Sequence, residues 1–228
     1  MQKKHLVLAA AVLLCAAVVF SAGCVDNGTS GDRVEILYSV PGTMPQLLDS
    51  GAVDAVITWQ PFVAGIEESG VGKVVSYSED LPPKGKWEGH TCCVFGANSN
   101  ALANPEVAAD VTALMILGNE YITENPDKSA ALIADWLFAN GELTYGDVKV
   151  DSLDVMKASI PTILFSGEVT DAWITSNEDF VKSQRDLGLV TGKLANTNSE
   201  ETEALLFDFS AYDAAQDILA SGKFLEPK

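Results

Sequence analysis

Short apolar runs alternate with Pro- or Gly-containing turns over residues 34–97, and this alternation constrains the fold more than any other feature of the chain. Residues 34–40 alternate apolar and polar side chains as a strand does, and Pro41-Gly42-Thr43 then turns the chain. A short helix is predicted from about Met44 to Ser50. Residues 53–59 are almost entirely apolar, which is typical of a strand covered on both faces. The order strand, helix, strand predicts one right-handed βαβ unit.

The same pattern continues to the end of this region. A second helix is predicted from Pro61 to about Gly70. Strands are predicted over residues 73–78 and 91–97, on either side of a stretch too rich in Pro and Gly to be regular. The sequence therefore predicts a parallel sheet built from these strands, with helices on its faces.

Beyond residue 98 the spacing of the apolar positions becomes helical. Two helices begin at the repeated start signals Asn104-Pro105-Glu106 and Asn125-Pro126-Asp127. Further helices are predicted over residues 152–158, 170–187, 199–209 and 212–220. The predicted fold class is α/β: residues 33–97 form a βαβ ligand-binding lobe with a parallel sheet, and residues 98–228 form a mainly helical part of the same binding domain.

The N-terminus has the pattern of an export signal. Lys3 and Lys4 precede an apolar run, and Ser21-Ala22-Gly23-Cys24 follows it. Small residues before a cysteine predict a lipoprotein-type signal peptide over residues 1–23, lipidation of Cys24 and a flexible tether over residues 24–32. Ser21 departs from this pattern, in which leucine is usual. An uncleaved membrane anchor and simple release remain alternatives.

The charge of the chain excludes one class of partner. Cleavage before Cys24 removes 23 of the 228 residues and leaves 205. It removes two lysines and no acidic residue, so the formal net charge goes from −18 to −20. Such a surface repels nucleic acid and anionic lipid, which excludes nucleic acid as a partner.

The sequence contains no recognisable catalytic or metal-binding pattern. Its histidines are His5, in the signal, and His90, which has no second ligand pair at a spacing suited to a metal. Cys92 and Cys93 are interpreted as two small buried residues of a core strand. Neighbouring residues of a strand point to opposite faces, so a disulfide between them is not expected. We therefore expect neither an enzyme nor a cofactor.

Three groups of residues follow the predicted strands. Because ligands of parallel α/β sheets bind at the carboxyl ends of the strands, these groups are expected to form one binding rim. Each also has an ordinary structural interpretation: Thr43 could cap its own helix, Trp59 could pack in the core, and the loop at residues 84–90 could be solvated. The candidate ligand-binding residues are Pro41, Gly42 and Thr43 in the first group, Trp59 and Gln60 in the second, and Lys86, Trp87 and His90 in the third.

Three segments occur in a recognisable order: "GAVDAVITWQPFVAGIEESGVGKVV", "NPEVAADVTALMILGNEYITENPDKSAALIADWL" and "SIPTILFSGEVTDAWITSNEDFVKSQRDLGLV". Together they resemble the solute-binding proteins of ABC importers of the nitrate/sulfonate/taurine type, which share their fold with thiamine-pyrimidine binders. The resemblance covers about residues 34–220. It implies a periplasmic-binding-protein-like II fold and no enzymatic activity. Many relatives carry an acid at the position of Gln60, and the amide here favours a neutral or anionic solute.

The resemblance also implies a location, a ligand and partners. It predicts a lipid-anchored component on the extracytoplasmic face of the cell membrane. That component would capture a small anion, such as a sulfonate or nitrate, or a small heteroaromatic solute, by closure of a cleft. It would then deliver the solute to an ABC permease.

One departure from the family leaves a second hypothesis open. Family members usually begin with a long βα segment that builds most of the first lobe, and here the signal and tether lead directly into what resembles the second lobe. The fold is therefore expected to be partial. Either the chain is a natural half-protein, or a complementary chain completes its cleft, or the given sequence starts late. A truncated or accessory half-domain would bind a permease or a complementary lobe instead of a solute.

Overall fold

A computed structural model describes residues 34–222 of the chain. The predicted signal peptide, the tether and the lipidation site Cys24 lie outside the described residues. The chain divides into two units, the first ending at Tyr38 and the second beginning at Ser39. Residues 34–38, the described part of the first unit, have no regular secondary structure and are exposed.

Helices make up most of the second unit. Short 3₁₀ turns precede or follow several of them, at Pro41–Thr43, Ser78–Asp80, Ile160–Thr162 and Gly192–Asn196. In residues 39–222 the α-helices are α1 (Met44–Asp49), α2 (Phe62–Glu68), α3 (Ser99–Leu102), α4 (Pro105–Glu124), α5 (Pro126–Phe138), α6 (Ser152–Ser159), α7 (Asp171–Asp186), α8 (Ser199–Leu206) and α9 (Ser210–Ala220).

The helix predictions are confirmed to within a few residues at each end. Helices α4 and α5 begin at the two predicted Asn-Pro signals, with Pro105 and Pro126 in their first turns. Proline is tolerated there because its missing N–H would be unpaired in any helix. Thr170 caps α7 by accepting a hydrogen bond from the amide of Trp173 at 3.1 Å. These signals are local, and the sequence alone therefore reveals them.

The described residues contain one sheet, a small antiparallel hairpin. Strand β1 (Glu142–Tyr145) pairs with β2 (Val148–Asp151), and Tyr145 lies opposite Val148. Gly146 opens the turn between them with φ +58°, a conformation that favours glycine in tight hairpin turns. A Cβ at Gly146 would also clash with the carboxylate of Asp49. No pattern in the sequence indicated this hairpin.

The predicted parallel sheet of residues 33–97 is absent from the described structure, which corrects the βαβ prediction. Residues 34–40, 53–59 and 91–97 belong to no strand, and residues 73–78 lead into a 3₁₀ turn instead of completing one. Their apolar side chains are exposed: 93 % for Ile57, 90 % for Val75 and 63 % for Val94. A strand completes its backbone hydrogen bonds only with a neighbouring strand, and residues 34–222 provide none for these segments.

The main core joins the second half of the chain to helix α2. Ala64 of α2 packs in one cluster with residues of α5, the hairpin and α6. The approach is close: a Cβ on Gly65 would clash with the hydroxyl and ring of Tyr145. The buried members are Ala64, Ala130, Ala134, Tyr145, Val150, Val155, Met156 and Ile160.

Two smaller clusters involve helices α4, α7 and α9. Ala113 and Ile116 of α4 pack against Ala215 of α9. The ring of Trp173 in α7 lies 5.0 Å from that of Phe207, which stacks at 5.4 Å on Phe209. Among residues 34–222, no helix combines the length and the apolar character needed to cross a membrane.

Candidate functional site

The first predicted group lies on the turn before α1. Thr43 is exposed, and its hydroxyl donates to the carbonyl oxygen of Val40 at 2.9 Å and lies 2.7 Å from Ser39 Oγ. The side chain makes no capping hydrogen bond to its own helix. Gly42 is also exposed, and nothing lies within 4 Å of the position that a Cβ would take. Pro41 and Gly42 therefore form an open turn whose sequence is not dictated by packing.

Trp59 and Gln60 form the second group, and their side chains differ in exposure. Trp59 is 55 % exposed, and its ring lies edge-on to that of Phe62, at 6.5 Å between ring centroids. Gln60 is half-buried. Its Oε1 accepts a hydrogen bond from the amide of Ala64 at 3.0 Å, and its Nε2 donates to Thr162 Oγ1 at 2.8 Å. Ser159 Oγ lies 3.2 Å from the same Oε1.

Gln60 therefore connects two distant parts of the chain. Its Oε1 accepts a hydrogen bond from a backbone N–H in the first turn of α2, a group that has no partner within the helix. The same side chain contacts the end of α6 and the 3₁₀ turn that follows α6. Spacing along the sequence could not reveal this role, because Gln60 and Thr162 lie 102 positions apart. One Nε2 hydrogen remains for a further acceptor.

The third group is a compact arrangement of a cation and two rings. Lys86 Nζ lies 5.0 Å from the ring centroid of Trp87, as in a cation–π contact. His90 meets the Trp87 ring edge-on at 6.4 Å, and His90 Nδ1 lies 2.7 Å from the carbonyl oxygen of Trp87. Trp87 Nε1 donates to the carbonyl oxygen of Pro82 at 3.3 Å. The indole therefore has a fixed orientation, and the ammonium of Lys86 remains exposed.

Helix α7 holds this third group in place. The amide of Thr91 donates to Ser176 Oγ at 3.3 Å, and Asn177 Nδ2 donates to Thr91 Oγ1 at 2.8 Å. The end of the loop is thereby tied to the middle of α7. Lys182 is the main cause of the lowered pKa of Asp186, through a hydrogen bond and charge, and Arg185 and Lys86 contribute less.

The structure does not bring the three groups together. Among residues 34–222, no hydrogen bond or ring contact links one group to another. Thr43 bonds to Val40, Gln60 bonds to Thr162 beyond the end of α6, and Thr91, at the end of the third loop, bonds to α7. The parallel sheet that would align them is absent here. The common rim expected from the sequence is therefore not formed in this conformation.

A concavity that the sequence did not predict lies between α7 and α8. It measures about 370 Å³, and its cations already have partners. Lys182 pairs with Asp186 at 2.7 Å. Arg185 donates to the carbonyl oxygens of Leu194 and Thr197 and to two threonine hydroxyls. The lining residues are Glu178, Lys182, Arg185, Asp186, Thr197, Asn198, Ser199 and Thr202. Arg185 fastens the loop before α8 to α7, and little positive charge is left for an anion.

A second hollow, about 420 Å³, lies between α4 and α9. Its acidic residues are Glu106, Asp110 and Asp217, and no basic residue lines it. Acidic walls of this kind repel an anionic solute. Within residues 34–222, no group of three or more His, Cys, Asp and Glu side chains is placed to hold a metal ion.

The two cysteines differ from the prediction. Cys92 and Cys93 are exposed rather than buried in a strand, and their sulfur atoms lie 3.6 Å apart. Partial burial, then the hydrogen bond and charge interaction with Cys93, raise the pKa of the Cys92 thiol. The expectation that their side chains point to opposite faces fails because residues 91–97 do not form a strand.

A protein-family model matches the chain. The model of the NMT1-like family matches residues 19–138, just over half of the chain. This family belongs to the nitrate-, sulfonate- and taurine-binding proteins with a periplasmic-binding-protein-like fold. Its proteins are extracytoplasmic solute-binding proteins of ABC transporters and are not enzymes. Neither the curated proteins nor the solved structures include a match to this chain.

Proposed function

The chain belongs to the NMT1-like family, and from this premise we propose that it captures a small anion or a small heteroaromatic solute for an ABC permease. The match over residues 19–138 is the observation that carries the proposal, because it spans all three candidate groups. A lipid on Cys24 holds the protein at the outer face of the membrane. The chemistry is reversible binding, with no covalent step.

Lys86, Trp87 and His90 support the choice of solute. An exposed ammonium beside a fixed indole offers both a charge for a sulfonate or nitrate and a flat surface for a heteroaromatic ring. The chain as a whole is strongly acidic, but screening limits surface fields to about 10 Å. A local cation can therefore attract an anion despite the net charge of −18.

The other two groups act as the opposite walls of the cleft. Gly42 presents its backbone amide and Thr43 its hydroxyl on an open turn, whereas Pro41 has no N–H and the amide of Thr43 already donates to the carbonyl oxygen of Val40. Trp59 presents an exposed ring, and Gln60 holds the turn that carries it while one Nε2 hydrogen stays free for the solute. Binding shifts the population from the open arrangement described above to a closed one in which the three groups meet.

Calorimetric titration tests this function. Nitrate, taurine, a longer alkylsulfonate and an aminopyrimidine of the thiamine type are titrated into the purified exported chain. We expect saturable binding of one class and a loss of at least about tenfold in affinity for Lys86→Ala, since a charge-assisted hydrogen bond contributes more than about 1.4 kcal/mol. Trp87→Ala should lower the affinity for a heteroaromatic solute by about tenfold, since ring stacking contributes about 0.5–1.5 kcal/mol beyond the area it buries. Lys73→Ala removes the same charge elsewhere and should leave the affinity unchanged. No binding of any class, or equal losses for Lys86→Ala and Lys73→Ala, would contradict the proposal.

The lipid anchor has a separate test. The mature N-terminus, isolated from membranes of cells expressing the chain, should carry acyl chains on Cys24. Cys24→Ala should move the protein to the soluble fraction without changing the solute affinity of the purified domain. An unmodified Cys24 in membrane-bound protein would instead favour an uncleaved anchor.

A second candidate function rests on the exposed apolar segments. Ile57, Val75 and Val94 are β-branched residues with most of their surface in water, on backbone that pairs with no strand among residues 34–222. A contiguous exposed apolar surface marks an interaction site, and we infer that these segments contribute to one. A complementary chain that adds strands to these segments would bury the side chains and pair the backbone, as in other cases of strand addition.

The two candidates are separated by the state of the purified protein. Light scattering that shows a monomer, together with saturable solute binding, would contradict the second candidate. The second candidate would be supported by a defined complex in which residues 53–59 gain protection from hydrogen exchange. Ile57→Asp should abolish the formation of that complex. Leu132→Asp, which places the same charge at another exposed apolar position on α5, is the control and should leave the complex intact.

A further inference from the structure

Two thiols lie side by side at the surface, outside the residues assigned to the solute. Cys92 and Cys93 are both exposed, and the two sulfur atoms lie 3.6 Å apart. They directly follow Thr91, the residue that ties the loop to α7. Neither thiol pairs with any other described side chain.

The backbone explains why neighbouring thiols can meet here. In a regular strand the two side chains would point to opposite faces. Residues 91–97 form no strand in this structure, so neither side chain is directed away from the other by a ladder of hydrogen bonds. The observed approach of the two sulfur atoms removes the main geometric objection to a bond between them.

We propose that Cys92 and Cys93 form a redox-active dithiol that is oxidised reversibly to a vicinal disulfide. The oxidant is a low-molecular-weight disulfide outside the cytoplasm. One thiolate attacks a sulfur of that disulfide and releases one thiol, and the neighbouring cysteine then attacks the mixed disulfide and releases the second. The pair loses two electrons and two protons in forming its S–S bond, and the external disulfide is reduced to two thiols.

Two properties follow from the adjacency of the cysteines. Adjacent Cα atoms are about 3.8 Å apart across a trans peptide, closer than the roughly 4.4–6.8 Å usual for disulfides. The small ring that a Cys92–Cys93 disulfide closes is therefore strained, and the disulfide is easily reduced, as labile and regulatory disulfides are. The raised pKa of Cys92 keeps that thiol protonated near neutral pH, so oxidation accelerates as the pH rises.

Closure of the ring acts on the neighbouring loop. It fixes the backbone of residues 92 and 93 directly after the attachment of Thr91 to α7. His90 lies on the other side of Thr91, so the redox state changes the exit of the chain from the loop that carries Lys86 and Trp87. The oxidation of Cys92 and Cys93 does not depend on which solute the protein binds, so it can be tested separately from the proposed function.

Peptide mapping of the full chain tests the proposal. Trypsin cleavage after Lys86 and Lys128 gives one peptide, residues 87–128, that contains Cys92 and Cys93 and no other cysteine. After incubation of the native protein with a large excess of oxidised glutathione, without reduced glutathione, at mildly alkaline pH, this peptide should resist alkylation and weigh two hydrogens less. Reduction should restore two alkylation sites. Cys92→Ser and Cys93→Ser should each give a stable glutathione adduct instead, because the second attack is no longer possible.

An arsenical gives an independent measure of the spacing. Phenylarsine oxide bridges two close thiols, so it should bind the reduced wild-type chain at least about tenfold more tightly than either serine variant. The residues 87–128 peptide is again used to locate the adduct. Equal affinity in all three proteins, a wild-type peptide that carries two glutathiones, or a disulfide that links two chains would overturn the proposal.

Discussion

Gln60 is the residue whose predicted and observed roles can be separated by one substitution. The sequence places it in the solute site, and the structure shows it fastening α2 to the end of α6. Replacement by alanine removes the hydrogen bond from the Ala64 amide at 3.0 Å and the bond to Thr162 Oγ1 at 2.8 Å. The contact with Ser159 is weaker, because that hydroxyl also lies 2.7 Å from the carbonyl oxygen of Val155.

These contacts set the size of the effect. A hydrogen bond contributes about 0.5–1.5 kcal/mol net, and a buried donor left unpaired costs about 1–3 kcal/mol. Ala64 is buried, so its amide loses a partner that water does not readily replace. The two bonds together predict that Gln60→Ala lowers the free energy of unfolding by about 2–3 kcal/mol. Gln60→Glu keeps the oxygen that accepts from the Ala64 amide but places a second oxygen, instead of an N–H, next to Thr162 Oγ1. It should therefore lower the free energy of unfolding by about half as much as Gln60→Ala.

Equilibrium denaturation with urea, followed by circular dichroism, measures this quantity. Gln216→Ala is the matched control: its side chain is exposed and bonds only to Tyr212 of the same helix, so the change should stay within about 0.5 kcal/mol. A double-mutant cycle with Thr162→Val should show coupling, since both changes remove the same bond. If Gln60→Ala matches the control in stability, the fastening role is wrong. A loss of solute affinity without a loss of stability would show that the amide serves the ligand alone.

Three further changes test other parts of the structure. Gly65→Ala should lower the free energy of unfolding by about 1–3 kcal/mol despite the better helix propensity of alanine, because the new methyl group would clash with the Tyr145 ring. Gly118→Ala in α4 is the control, since nothing lies within 4 Å of the new methyl group, and it should be neutral or stabilising in the same denaturation assay. Trp173→Ala removes the ring that contacts Phe207 and should cost about 2 kcal/mol, while Trp136→Ala, an 83 % exposed tryptophan, should cost little. Hydrogen bonds from Ser210 lower the pKa of Asp208 below its ordinary 3.8, so its contribution is present above pH 3.8 and is lost as the pH falls through the folded-state pKa. Asp208→Asn should therefore reduce the slope of unfolding free energy against pH in that acidic range, and an unchanged slope would contradict the assignment.

The sequence predicted the helices well and the strands poorly, and particular residues explain the difference. Pro105, Pro126 and Thr170 act within one helical turn of themselves, so their effect is visible in a short window. The hairpin was missed because its two strands have only four residues each and Gly146 was not recognised as a turn signal. The predicted site residues lie on real turns, but spacing along the chain could not show that Gln60 would engage Thr162 or that Thr91 would engage α7.

The failure at residues 53–59, 73–78 and 91–97 has a different cause. The backbone N–H and C=O groups of a helix bond to each other, so a helical segment needs no neighbouring segment for its hydrogen bonds. A strand depends on a neighbour, and an apolar sequence such as that around Ile57 specifies a strand only when the neighbour is present. The exposure of Ile57, Val75 and Val94 is the state expected of strand sequences without partners. Protection of these amides from hydrogen exchange should therefore rise when a partner or a closed, solute-bound form supplies the pairing, whereas the amides of α4 should stay protected in either state.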